Sequence, residues 1–207
     1  MRMSDIPNLR SAYDMTSEED IHALYREWAH SYDVGFGDAQ GYQLPQAVAR
    51  AYIAAGGKGP VLDVGAGTGL LGEHLTATLD VDGVDLSSVM LGVARSKQIY
   101  RDLYTGNINV QLNLPQYMGI VSAGTFTLGH VGPTAIDNLL EIAEPGGLFV
   151  LAVNAVHYVD AGFAAYFDGL GAAIAGLTQV KTRIYDDRAD ADHRDDIAYI
   201  LTFTKAG

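Results

Sequence analysis

The stretch VLDVGAGTGLLGEHL, Val61 to Leu75, decides the fold. Val61, Leu62 and Val64 read as a short buried strand. Gly65, Gly67 and Gly69 form a turn, and the residues from Leu70 to Leu79 carry the apolar spacing of a helix. A glycine-dense turn of this kind lets the backbone come close to a ligand. It sits outside the carboxyl end of the first strand, where doubly wound sheets bind.

Outward from this unit the chain alternates. VDGVDLS is a strand and SVMLGVARSKQI a helix. YTGNI and GIVSAG are strands, PTAIDNLLEIA is a helix with Pro133 in its first turn, and PGG turns into the apolar strand LFVLAVN. AGFAAYFDGLGAAIAGL reads as a helix weakened by glycines. QVKTRIYD and IAYILTFTK are strands with an acidic loop between them. Strand–helix alternation predicts an α/β fold, doubly wound around a mostly parallel seven-stranded sheet. No helix separates the last two strands, so the last should run antiparallel. Residues 17–32 form an amphipathic helix that Ser17 can cap, with Ile21, Leu24, Tyr25, Trp28 and Tyr32 at helical spacing. Another helix covers roughly 45–56. The expected organisation is one domain, with residues 1–56 as an N-terminal helical lid and 57–207 as a Rossmann-like core.

The chain has 207 residues, 48% of them apolar and 18% charged, which fits a globular protein with a proper core. It lacks cysteine, which excludes disulfides and thiolate metal sites. The net charge of −12 argues against nucleic acid, whose phosphates require a basic face. The start of the chain has no signal-peptide core, and the longest apolar run is too short for a bilayer, so a cytoplasmic protein without a membrane partner is expected. The acidic run DDRADADHRDD lacks the spacing and glycine of a calcium loop, and no metal site is expected.

The residues around the glycines discriminate among ligands. A dinucleotide turn would need a small third residue where Leu70 stands, and a phosphate loop would need a Lys-Ser or Lys-Thr that is absent. Asp63, two residues before Gly65, would repel a pyrophosphate but suits a ligand carrying an ammonium or sulfonium charge. Asp85 ends the second strand, where nucleoside-binding folds place an acid on the ribose hydroxyls. A ribose and a cation without phosphate describe S-adenosylmethionine.

At this point the chain resembles a class I S-adenosylmethionine-dependent methyltransferase of the small ubiquinone-biosynthesis-like, type 11-like kind. VLDVGAGTG is similar to the family's first motif and VDGVDLSSVML to the next. PGGLFVLAVN is similar to its fifth strand, and SAGTFTLGHVGP to the subgroup's fourth-strand motif. LYREWAHSYD resembles the YDxxAxxYD lid helix, with Arg26 where Asp is usual; Leu128 stands where His is frequent. The resemblance implies that Gly65 and Gly67 meet the methionyl part of the cofactor, that Asp63 orients its ammonium through water, and that Asp85 binds the ribose. It places Leu86 and Met90 beside the adenine, Asn107 and Ile108 at its amino group, and Ala123 in the fourth-strand motif against the cofactor. Tyr25 and Tyr32 would close over it, although their spacing also fits a core stripe. Asn107 also fits a turn.

His130, after the fourth strand, is the candidate catalytic base. His157 and Tyr158, after the fifth, are candidates to line an acceptor site. The expected activity is methyl transfer by in-line displacement to a small or compact acceptor, since no separate substrate domain is visible. A protein or lipid-headgroup acceptor, or a cofactor-binding sensor without activity, are the alternatives. The oligomeric state is left open.

Overall fold

The computed structural model describes residues 41–127 and 131–207. In chain order, the elements are α1 (Leu44–Ala54), β1 (Val61–Val64), α2 (Gly72–Leu75), β2 (Val81–Asp85), α3 (Ser88–Ser96), β3 (Leu103–Thr105), β4 (Tyr117–Phe126), α4 (Ala135–Glu141), β5 (Ala143–Asn154), α5 (Ala155–Asp160), α6 (Phe163–Leu170), β6 (Ile174–Arg183) and β7 (Ile197–Lys205). The seven strands form one sheet in the order β3-β2-β1-β4-β5-β7-β6. Neighbours from β3 to β5 pair in parallel. β7 is antiparallel to both β5 and β6, as the missing helix between the last two strands predicts.

Both faces of the central strands are covered, which explains their near-continuous apolar sequence. Alternate residues go to opposite sides. Val61, Val121, Val150 and Ile200 pack with Val48 and Tyr52 of α1. Leu62, Val64, Ile120, Phe149 and Phe203 pack with Ile136 and Leu139 of α4 and with Phe163 and Phe167 of α6. At the amino ends of the strands, Asp82 is fully buried. It accepts both Arg101 Nε (2.9 Å) and an Arg101 terminal nitrogen (2.7 Å), the Asp102 amide (3.1 Å) and the Tyr117 hydroxyl (2.9 Å). Such complete pairing is what a buried carboxylate requires. Lys205 at the end of β7 donates to the carbonyls of Leu140 and Ala143, holding the end of α4 on the sheet.

Several elements differ from the sequence expectation: PGG lies inside β5 rather than before it, the strand read over YTGNI ends at Thr105, and three further departures concern helices. The helix read over 70–79 is the single turn α2: Thr78 Oγ1 donates back to the Leu75 carbonyl (3.3 Å), and the amides of Thr78 and Leu79 bond the same carbonyl. Hydroxyl competition for helix carbonyls is the usual way Thr ends a helix. The helix read over 161–177 stops at Leu170. Gly171 has φ +49°, and Ile174 onward pairs with β7 instead. Here the sheet ladder outweighs a local preference that the glycines had already weakened. The short helix α5 was not anticipated. Asn154 caps it, accepting the amides of Val156 (2.9 Å) and His157 (3.2 Å). Among the described residues no helix is long and apolar enough to cross a membrane.

Candidate functional site

The strand order reverses between β1 and β4: from β1 the chain runs outward through β2 and β3, then returns to β4 on the other side. A crevice opens at the carboxyl ends of strands at such a point. Gly65, Gly67 and Gly69 lie there with φ of +70°, +54° and +97°. Each sits in the left-handed region that L side chains disfavour, so the turn demands glycine. The amides of Gly65 and Ala66 bond the Val84 carbonyl of β2 (2.8 and 3.1 Å), which fixes the turn over the β1–β2 seam.

Asp85 ends β2 and ties two loops together. One oxygen accepts the Gly67 amide at 2.8 Å and the other the Ser87 amide at 2.7 Å. These bonds orient the carboxylate at the rim of the crevice. Ser87, rather than Asp85, caps α3 by accepting the Met90 amide. Met90 is buried with its methyl beside Gly67; Leu86 is half-buried. After β3 the Gly106 amide bonds the Asp85 carbonyl (3.0 Å), which brings Asn107 and Ile108 to the same end of the sheet. Asn107 Oδ1 accepts the Asn109 amide (2.9 Å), so it does serve a turn. Ile108 is buried beside α4, and Asn138 bonds its carbonyl (3.0 Å).

Asp63 is 1% exposed. Its Oδ2 accepts the Tyr100 hydroxyl at 2.6 Å, and its Oδ1 is buried with no hydrogen-bond partner among the described residues. Burial weakens it as an acid and pushes its pKa up to about 7. The Tyr100 hydrogen bond opposes that shift, the negative charge of Asp85 adds to it, and the nearby Gly72 amide works against it. Tyr100 is itself held well above the ordinary phenol range by the same burial and the same carboxylate.

On the β4 side, the hydroxyls of Ser122 and Thr125 both donate to the Val64 carbonyl (2.7 and 2.9 Å). A side chain at position 65 would overlap the Thr125 hydroxyl. β4 bulges between Ser122 and Phe126, with Gly124 at φ +91° and the Tyr42 hydroxyl close above it. Ala123 is half-buried beside them. Sequence reasoning missed Tyr42, Tyr100 and Thr125. Hydroxyl residues in the otherwise apolar β4 were the one available signal for Thr125.

The remaining described candidates, His157 and Tyr158, lie on α5 just after β5. His157, 7% exposed, holds the Val131 carbonyl at 2.8 Å through Nε2, which therefore carries the proton, and its ring packs edge-on against Phe163. Tyr158 stacks on Phe163 and meets Tyr199 edge-on. Both thus anchor the aromatic layer under α5 and α6. Tyr25, Tyr32 and His130 lie outside the described residues.

Comparison with known proteins gives a consistent picture. Residues 61–147 match the profile of a family described as "Methyltransferase domain". No curated protein matches in sequence. Among solved structures, the chain is similar to the N-methyltransferase NodS from Bradyrhizobium japonicum WM9 in complex with S-adenosyl-l-homocysteine, with a TM-score of 0.65 and 15% identity over 90% of this chain and 98% of that one. It is also similar to a structure described under the conversion of a disulfide bond into a thioacetal group during echinomycin biosynthesis (TM-score 0.67, 18% identity, 91% of each chain). A third is a TehB-like SAM-dependent methyltransferase from Corynebacterium glutamicum (TM-score 0.56, 23% identity, 90% and 97% covered). At these identities the likeness is one of fold: this chain has the Rossmann-like architecture of those methyltransferases.

Proposed function

We propose that the protein is an S-adenosylmethionine-dependent methyltransferase acting on a small or compact acceptor. One observation carries this reading. The switch-point crevice combines a glycine turn, an oriented carboxylate at the end of β2, and the buried Oδ1 of Asp63, which has no hydrogen-bond partner among the described residues. An orphaned buried carboxylate oxygen is costly unless something meets it, and a ligand bearing an ammonium supplies that partner. The match to the methyltransferase profile over the same segment supports the reading.

In this reading Asp63 orients the ammonium and Asp85 binds the ribose diol. The backbone at Gly65 and Gly67 allows close approach. Bound S-adenosylmethionine supplies an electrophilic methyl group on a sulfonium. The protein then has to bring an acceptor within about 3 Å, in line, and exclude water. Within the N-terminal region 1–56, residues 12–45 are assigned the closing role, with Tyr25 and Tyr32 over the cofactor. His130 is assigned as base toward a hydroxyl acceptor, where such help is worth about a hundredfold or more.

The test is incubation with methyl-labelled cofactor and a metabolite extract, followed by mass spectrometry. A labelled small product is expected. Label on protein or lipid alone would replace the acceptor class, and saturable binding with no labelled product would make the protein a sensor. In calorimetry, Asp85→Ala is expected to weaken S-adenosylhomocysteine at least about tenfold, because charge-assisted bonds are lost. Unchanged affinity would overturn the cofactor assignment.

A further inference from the structure

We infer that Tyr100 is a positioning residue for this site: it fills a slot made by three glycines and fixes Asp63 so that one carboxylate oxygen is reserved for the ligand's ammonium. The inference rests on the proposed cofactor, and its own content is the coupling between Tyr100 and Asp63.

The slot is defined sterically. A Cβ on Gly69 would lie 3.1 Å from the Tyr100 ring, a Cβ on Gly72 would overlap its hydroxyl end, and one on Gly83 would lie 3.3 Å from the ring. These glycines come from the turn, from α2 and from β2, so three elements leave room for one phenol. Gly72 and Gly83 lack the positive φ that explains Gly65 and Gly67. At Gly72 space for Tyr100 is therefore the reason a side chain is missing; at Gly83 a Cβ would meet Leu103 (2.8 Å) and Ala66 (2.9 Å) before the Tyr100 ring, so that glycine serves the packing of all three. The ring delivers its hydroxyl to Asp63 Oδ2 at 2.6 Å and leaves Oδ1 without a partner among the described residues.

The charged and titratable groups facing this pair can be named. Asp85 approaches Asp63 from β2, and Glu73 approaches Tyr100 from α2, its own charge paired with Lys97 at 2.5 Å. Among these neighbours Tyr100 is the side chain that favours the ionised carboxylate. A protonated Asp63 cannot attract an ammonium, so the hydroxyl should extend ligand binding to lower pH.

The test compares wild type, Tyr100→Phe and Asp63→Asn. S-adenosylhomocysteine affinity is measured by calorimetry from about pH 6 to pH 8.5, a range chosen to bracket the carboxylate while keeping most of the ligand's amine charged. The ligand-free proteins are titrated in parallel by urea unfolding. Tyr100→Phe keeps the ring in its slot and removes only the hydroxyl. Its binding is expected to fall about tenfold near pH 7 and to recover toward pH 8.5, the midpoint moving up by about one unit or more. The pH dependence of its ligand-free stability should move the same way. Asp63→Asn should be weak at every pH, and adding Tyr100→Phe to it should cost little more. A uniform loss at all pH values, or an unshifted midpoint, would overturn the inference and leave Tyr100 as packing. Wild type that fails to bind S-adenosylhomocysteine at all would instead overturn the functional reading, while the ligand-free titration would still report the Tyr100–Asp63 coupling.

Discussion

Asp63 has opposite consequences for the empty and the loaded protein. Its pKa is raised from the ordinary 3.8 to about 7, chiefly by burial. Between those values the folded state holds a proton that the unfolded state has lost. The stability this contributes is complete below the unfolded value and disappears as pH rises through the folded one. The ligand-free protein should therefore lose about 1 kcal/mol through this group between about pH 6 and pH 8. Urea unfolding of wild type against Asp63→Asn would show it; an identical pH slope in the two would remove Asp63 as the cause. Bound ligand should gain from the same ionisation, so ligand-induced stabilisation should grow over that window. Asp63 and Asp85 were legible in the sequence because carboxylates flanking a glycine turn have few other uses. Tyr100 was not, because its partner is 37 residues away and only the folded sheet brings them together.

At the scale of elements, the segments set by apolar periodicity and caps were readable: α1, α3, α4 and the strands β1, β2, β4, β5 and β7. α3 shows why. Ser87 adopts an extended conformation and accepts the Met90 amide, while Met90, Leu91 and Ala94 face inward. Ser87→Ala is expected to lower stability by about 1 kcal/mol, measured by the midpoint of chemical unfolding. It should leave Asp85 in place, so ligand affinity should change far less than in Asp85→Ala. An unchanged midpoint would mean that Asp85 alone holds the start of α3. The elements misread are those where tertiary pairing decides. Residues 174–177 carry no strand signal of their own, and only β7 makes them a strand. The helix that carries His157 and Tyr158 was also unread: the Asn154 cap starts it, and both rings meet Phe163.

Over the whole molecule, burial is uneven along the sheet. β5 is buried at every position from Leu148 to Asn154, whereas β6 is exposed at most positions on both faces and, among the described residues, pairs only with β7. Local opening should follow this gradient. Hydrogen exchange is expected to be at least about tenfold faster in a peptide covering 174–183 than in one covering 148–154. Equal protection would show that something beyond the described residues covers the edge. The parallel core and the antiparallel strand order were readable because strand–helix alternation constrains topology strongly, while the weight each strand carries was not. The position of β7 also has a consequence for synthesis on the ribosome. β6 emerges before β7, yet among the described residues its ladder partner is β7. The nascent chain thus carries two strands, β5 and β6, that will run in the same direction with a gap between them that does not yet exist. β6 is rich in Thr, Gln, Lys and Arg, whereas β7 brings Ile197, Ile200, Leu201 and Phe203. That contrast in apolar side chains gives the later strand the stronger claim to the edge of β5, so order of pairing is set by composition rather than by order of arrival.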